Sequence, residues 1–354
     1  MKTKFIVIGI SLLLLSTFFS IAENIHPQIK DNKQKENMAI EPSIDVPVWR
    51  NGNSWSYQIN TMKFDYDDVN TSTSLHVTLE TDELTLTVID DSGESYLVQL
   101  DATLQGDGSA HFLYEGEPVD LTVILKETKL TGSILFNKTD LGILQIHPVL
   151  TGKVMVKFIE QPFIPFNIPQ LPVPATIDIT TDSSVPYPLI HFPLNETSFW
   201  GLPATNITVD GTIESSWLQL LYFLNRFAQN HWSLVSLLSG VLGIDPYALR
   251  AISDFLTNPD ILPIFHIGAF LTLMINTSTI EFPAIDPIFF WNVTETITVP
   301  AGTFSAYNIS VAEGVGSLFY APEVGTIIKI SGQFNEIIPF MTNLTAELID
   351  YNFP

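Results

Sequence analysis

The feature that most constrains the fold is a two-residue alternation of apolar and polar side chains in residues 55–59, 75–79 and 84–88. Successive side chains of a β-strand point to opposite faces, so this alternation predicts strands with one apolar and one polar face. Residues typical of turns recur roughly every 10 positions, which favours an antiparallel sheet, sandwich or barrel. Residues 46–160 are therefore predicted to form one all-β domain. The turn signals lie at 65–68, 90–93, 106–108 and 115–118.

A proline-rich segment follows this domain. Residues 161–193 hold eight prolines, and proline cannot donate a hydrogen bond to a neighbouring strand. We therefore predict an extended linker there. The chain divides into a flexible polar tether at 23–45, the β domain at 46–160, the linker, and a second domain at 194–354.

The second domain contains a change of period. Apolar residues recur at three- and four-residue spacings within residues 215–260, which predicts a helical insert. Asp245 followed by Pro246 predicts the N-terminus of its third helix. Strand patterns resume from residue 270. The predicted fold class is mainly β, with tandem antiparallel β domains, the second an open barrel or curved sheet packed by helices 215–256.

The helical insert is rich in large apolar side chains, and three interpretations are open. The helices form an ordinary core against the sheet, or cover a groove that holds a lipid-like ligand, or lie on a membrane. The insert has only two basic residues, Arg226 and Arg250, which argues against an anionic bilayer. The candidate groove residues are Trp217, Leu220, Leu221, Leu224, Phe227, Leu234, Leu237, Leu238, Ile252 and Phe255.

The N-terminus has the pattern of a secretory signal peptide. Two lysines precede an uncharged apolar stretch at residues 5–21, and the small residues Ser20 and Ala22 suit a cleavage site. An uncleaved signal anchor is the alternative. We expect an extracytoplasmic protein, secreted or at the cell surface, with a signal peptide at residues 1–22.

Eight Asn-x-Ser/Thr sequons predict N-linked glycosylation. The chain contains no cysteine, which excludes thiol catalysis and zinc–thiolate sites. An exported, cysteine-free and sequon-rich chain resembles archaeal cell-surface proteins. The predicted glycosylation sites are Asn70, Asn137, Asn195, Asn206, Asn276, Asn292, Asn308 and Asn343.

The sequence offers no catalytic constellation, and we expect no cofactor. The seven histidines show no metal-binding spacing, and no Gly-x-Ser-x-Gly elbow or phosphate loop occurs. The acidic residues at 65–68 with Asn70 are interpreted as a solvated turn rather than a calcium site. A net charge of −23 disfavours nucleic acid. A glycoside hydrolase with two carboxylates distant in sequence is the weak alternative among enzymes.

Two short sequence motifs resemble those of a known family. Val-Pro-Ala-Gly-Thr-Phe at 299–304 and Tyr-Ala-Pro-Glu-Val-Gly at 320–325 read as hairpin turns between strands. Together they resemble the closing strands of secreted open β-barrel proteins of the lipoprotein-carrier type and their uncharacterised relatives. The resemblance implies a curved antiparallel sheet around an apolar groove, with helices over its open side. It carries over no functional residue, and the chain lacks the lipidated cysteine of lipoproteins.

The sequence therefore leads to two hypotheses about function. The first is a non-enzymatic extracytoplasmic protein that binds a hydrophobic, lipid-like ligand in a β groove. The second is a structural or adhesive glycosylated cell-surface module without a small ligand. Contact with a membrane surface or the cell envelope is compatible with both, and the oligomeric state is left open.

Overall fold

The computed structural model describes residues 44–68, 72–114, 117–159, 171–188, 190–194, 199–215, 265–267, 273–282, 285–311, 316–333 and 341–354. These ranges contain fifteen β-strands and no α-helix. The predicted mainly-β class is thus confirmed. Of the predicted helical segment, residues 216–256 lie outside the described residues, and Ser215 directly follows β8.

The strands are long, and several exceed fifteen residues. They are β1 (Ser54–Asp68), β2 (Thr73–Asp90), β3 (Ser95–Tyr114), β4 (Glu117–Asn137), β5 (Ile143–Ile159), β6 (Leu171–Tyr187), β7 (Phe199–Leu202), β8 (Thr205–Glu214), β9 (Phe265–Ile267), β10 (Leu273–Phe282), β11 (Ile285–Val299), β12 (Gly302–Val311), β13 (Gly316–Ala321), β14 (Thr326–Gly332) and β15 (Met341–Asn352).

All fifteen strands belong to one antiparallel sheet. Its order is β7-β11-β12-β13-β14-β15-β1-β2-β3-β4-β5-β6-β8-β10-β9. The first strand pairs with the last one, β15, and β6 pairs with β8. Hydrogen bonding therefore runs without interruption between strands assigned to the two predicted domains. The division of the chain into two folding units stays a prediction.

The proline-rich segment contributes a strand to this sheet. Residues 171–187, which lie within the predicted linker, form β6 between β5 and β8. Pro172 and Pro174 pair with β5, whereas the pairing with β8 starts only at Thr176. The prolines thus sit where the described sheet has a neighbour on one side only, the position at which a missing amide donor is tolerated.

Two of the predicted turns lie inside strands. Gly106 and Gly108 are internal to β3, and the acidic residues at 65–68 end β1. At Gly108, an added Cβ would lie 2.7 Å from the carbonyl oxygen of His76 on β2. The glycines therefore permit close approach of adjacent strands rather than reversal of the chain.

One face of the sheet is apolar, as the alternation predicts. On β1 this face carries Trp55, Tyr57 and Ile59 and continues, after an irregularity in register, with Met62 and Phe64. We call it the inner face. Its buried residues form a large core, together with a smaller cluster, the tryptophan core, around Trp49 and Trp55.

The tryptophan core is held by hydrogen bonds between residues remote in sequence. The indole nitrogens of Trp49 and Trp55 donate to the carbonyl oxygens of Gly325 and Val324, at 3.0 and 2.9 Å. The Tyr57 hydroxyl donates to the carbonyl oxygen of Ile327 at 2.8 Å. We call these three bonds the aromatic clasp. These bonds require the sheet to curve, because side chains of β1 and of the preceding Trp49 reach β14 and the turn before it across β15.

The two sequence motifs at residues 299–304 and 320–325 form hairpin turns at the tryptophan core, as predicted. One turn connects β11 to β12 and the other connects β13 to β14. The backbone amide of Ala301 in the first turn donates to Leu348 of β15 at 3.1 Å. Gly325 in the second turn has a φ of 71°, and a Cβ there would collide with the ring of Phe353. Glycine is thus required by both conformation and space.

The clasp can be tested by Trp55→Phe, which removes the indole donor and leaves the buried Val324 carbonyl unpaired. We expect the free energy of unfolding to fall by about 2–3 kcal/mol from the lost bond and lost ring area, measured by urea denaturation. The matched control is Trp200→Phe, because Trp200 is also buried but its indole nitrogen has no hydrogen-bond partner among the described residues. Equal losses for the two variants would contradict the role of the clasp.

Close strand packing can be tested at Gly132, which has a φ of 142° and packs against the backbone of β5. In Gly132→Ala the new Cβ would overlap the carbonyl oxygen of His147, so we expect a loss of more than about 2 kcal/mol in thermal or urea unfolding. Gly93→Ala is the control, because a Cβ at Gly93 meets nothing within 4 Å. A tolerated Gly132→Ala would refute the packing described.

Candidate ligand-binding face

The inner face is closely packed at one end and more open at the other. Around the tryptophan core most of its residues are almost fully buried, as for Val88 and Val98 at 0% and 1% exposure, and Leu86 and Phe136 are half-buried. Farther along the same strands its apolar side chains become only half-buried. We call these residues the upper inner face; they are Leu75, Val77, Val123, Leu125 and Val154.

Next to the upper inner face runs a transverse row of small residues. Gly152 of β5 pairs with Ala175 of β6, and Thr128 of β4 lies over Gly152, with its hydroxyl 2.8 Å from where a Cβ would be. Ser215 directly follows β8, and the pairing of Thr176 with Glu214 places it opposite Ala175. We call Thr128, Gly152, Ala175 and Ser215 the small-residue row.

The row carries two buried polar atoms without partners. Thr128 and Ser215 are 3% and 4% exposed, and neither hydroxyl oxygen has a hydrogen-bond partner within the part of the chain that the structure describes. An unsatisfied buried polar group typically costs about 1–3 kcal/mol, so such groups call for an explanation. The indole nitrogen of Trp200, in the large core, is a third such atom.

Polar and charged side chains occupy the opposite, outer face. Three histidines there each contact an aspartate on the adjacent strand, and all six side chains are between 37% and 47% exposed. The described residues contain no group of three or more potential ligands that could hold a metal ion. The pairs are His76–Asp65 at 2.7 Å, His111–Asp120 at 2.7 Å and His147–Asp178 at 2.8 Å.

Asp65 accepts a hydrogen bond from Thr342 of β15 in addition to its contact with His76. Partial burial raises the pKa of Asp65, but hydrogen bonds from Thr342 and His76 and the charge of His76 outweigh burial, so that the pKa lies below its usual value. Sequence analysis assigns Asp65 to a solvated turn. In the structure it is instead a residue of β1 whose side chain ties β1 to both of its neighbours, β2 and β15.

The sequence-predicted groove residues, from Trp217 to Phe255, all lie outside the described residues. The described part of the chain offers the upper inner face and the small-residue row, which sequence analysis missed. One signal was available for Thr128: it has the same strand parity as the buried Leu130 and Ile134, so it is a polar residue on the apolar side of β4.

The predicted glycosylation sites fall in several strands. Asn206 is exposed on β8, and the half-buried Asn137 closes β4 and accepts hydrogen bonds from the amide and hydroxyl of Thr139, at 3.1 and 3.0 Å. Asn308 and Asn343 are half-buried on β12 and β15. Asn276 and Asn292 belong to β10 and β11, and Asn70 and Asn195 lie outside the described residues.

Comparison with protein-family models, with curated proteins and with solved structures finds no match. The resemblance to lipoprotein-carrier proteins therefore stays a prediction. Within the described ranges, no helix is long and apolar enough to cross a membrane.

The hydrogen bonds at Asp65 predict an acid-sensitive stability. Because its folded-state pKa lies below the usual 3.8, the contribution of Asp65 is fully present above pH 3.8 and is lost as pH falls through the lower folded-state value. Asp65→Asn should lower the free energy of unfolding by about 1 kcal/mol at pH 6, allowing for the exposure of the side chain. The difference from the wild type should shrink as the pH falls from about 4 towards the lower folded-state value in urea denaturation.

Asp101→Asn is the control for this measurement, because Asp101 forms a mostly exposed ion pair with Lys129 at 3.5 Å. Such surface pairs contribute little, so the control should lose less stability at pH 6. A difference between wild type and Asp65→Asn that stays constant down to pH 3 would disprove the assignment.

Proposed function

We propose that the protein is a non-enzymatic, extracytoplasmic binding protein, and that the inner face of its curved sheet holds a hydrophobic, lipid-like ligand. The observation that carries the proposal is the change along the inner face, from a fully buried core around Trp55 to the half-buried upper inner face. Apolar surface that is concave and incompletely buried is the usual setting of small-molecule sites.

The distribution of charge supports an apolar ligand. The described inner face near Leu125 and Val154 carries aliphatic side chains, whereas the His–Asp pairs and the exposed lysines lie on the outer face. An uncharged surface favours apolar molecules, because a buried charge without a partner is strongly unfavourable. The secretory pattern of residues 1–22 supports a location outside the cytoplasm.

The alternative is a structural or adhesive surface module in which the inner face is solid core. The depth of packing at the tryptophan core favours it, because Val88, Ile328 and Leu348 are each 0% exposed. The eight sequons suit this role equally well, since glycans act on the outside of the protein. The two functions differ in whether the purified protein contains a ligand.

The test is to purify the secreted protein from an exporting host, extract it with organic solvent and identify bound molecules by mass spectrometry. We expect a stoichiometric apolar molecule. In Ile177→Asn, a polar side chain replaces a half-buried apolar one packed on the large core, and we expect at least a ten-fold loss of bound molecule.

The matched control is Thr176→Asn, one residue earlier on β6 and therefore on the outer face. It should retain the full amount of bound molecule. Circular dichroism must show that both variants are folded. A clean extract from folded wild-type protein, together with no uptake of added apolar dye, would refute the proposal in favour of the structural module.

A further inference from the structure

We propose that the small-residue row binds an uncharged, oxygen-bearing group of the ligand through the hydroxyls of Thr128 and Ser215. This inference rests on the proposed function and specifies the chemistry of the ligand. It assigns the row to neutral lipids with alcohol, ester or ether oxygens, rather than to hydrocarbons or fatty-acid anions.

The hydroxyls of Thr128 and Ser215 share three properties. Both lie on the inner face, both are more than nine-tenths buried, and neither has a described hydrogen-bond partner. A hydroxyl can donate one hydrogen bond and accept two. A ligand oxygen placed at either hydroxyl would therefore satisfy an atom that is otherwise destabilising.

The residues between the hydroxyls provide space for such a group. Gly152 and Ala175 are half-buried. Glycine has no side chain and alanine has only a methyl group, so no large side chain projects from the inner face between Thr128 and Ser215. Val154 is two residues from Gly152 on the same face. The row thus opens directly onto the upper inner face, where the apolar part of the ligand would lie.

The absence of charge in the row selects against ionic groups. The charged residues nearest in sequence are Lys129, Lys153 and Glu214, and all three are exposed. Each directly precedes or follows an inner-face position, so strand alternation directs it to the outer face. A carboxylate or phosphate in the row would lack a counter-charge among these residues, which is strongly unfavourable on burial.

The spacing of the strands indicates the shape of the ligand. Thr128 and Ser215 lie on β4 and at the end of β8, which are three strand spacings apart in the sheet. With about 4.8 Å per spacing, the two hydroxyls are at most roughly 14 Å apart on the inner side of a curved sheet. An elongated molecule with oxygens near both ends could meet both, and a simple alcohol could meet either.

The test uses pyrene, which has no hydrogen-bonding group, as a fluorescent probe of apolar binding to delipidated protein. 1-Octanol and octanoate are then compared as competitors. For the wild type we expect pyrene to bind and 1-octanol to displace it at concentrations at least ten-fold lower than octanoate, because the row has no partner for a carboxylate.

The decisive variant is Thr128→Val with Ser215→Ala, which removes both hydroxyls with little change of volume. We expect unchanged pyrene affinity and competition by 1-octanol weakened about five-fold, the effect of one lost neutral hydrogen bond. The variant should unfold at the same or a higher urea concentration, because hydroxyls without partners do not stabilise the free protein. Thr128→Ser keeps the hydroxyl, so 1-octanol should displace pyrene from this variant at the same concentration as from the wild type.

The possible results separate the two proposals. No pyrene binding by folded wild-type protein would overturn the proposed function. Pyrene binding with equal 1-octanol competition in wild type and double variant would overturn the role of the hydroxyls and leave apolar binding intact. If the double variant does not fold, the single variant Thr128→Val is assayed with 1,10-decanediol as the competitor of pyrene, because this diol is long enough to meet both hydroxyls. Competition by the diol as strong as in the wild type would then overturn the inference.

Discussion

The aromatic clasp is the interaction on which the rest of the structure depends. Trp49, Trp55 and Tyr57 donate to backbone carbonyls 269 to 276 residues later in the chain. The same region pairs β1 with β15, so the beginning and the end of the described chain meet at one core. Closing so long a loop is entropically unfavourable, and the protein offsets it without disulfides, by burying large aromatic rings whose polar atoms are satisfied.

The inner face is densely packed at the tryptophan core and becomes less buried towards its other end. The indole rings of Trp49 and Trp55 lie 4.9 Å apart and fill the space between β1 and the hairpin turns. Farther along β2, β4 and β5, aliphatic side chains and glycines replace the aromatic ones, and burial declines. The proposed ligand would thus bind to a different part of the face from the one that holds the packed core, so that the usual conflict between a packed core and an open site would not arise.

Much of the fold was predictable because strands leave a local signal. Alternation identified the strands of the first domain, and the strand patterns predicted to resume from residue 270 agree with β10, which begins at Leu273. Strand length was not predictable: Gly106 and Gly108 look like a turn, and only the close approach of β2 shows why they lie within β3. The pairing of β1 with β15 was equally hidden, because partner choice is set by packing between residues remote in sequence.

The site was less predictable than the fold for a related physical reason. The ten candidate residues of the helical insert follow from periodicity, yet they lie outside the described residues. Thr128 and Ser215 gain significance only from what surrounds them, since serine and threonine are common at strand positions. Their lack of partners becomes visible only when the neighbouring strands are in place.

The central claim is that the upper inner face, and not the tryptophan core, receives an apolar ligand. The most direct measurement is methyl NMR of valine- and leucine-labelled delipidated protein during titration with pyrene. The account predicts shifts at Val77, Val123, Leu125 and Val154, with Val88 and Leu348 unchanged. Shifts confined to Val88 and Leu348, or no saturable shift at any methyl group of the folded protein, would contradict it.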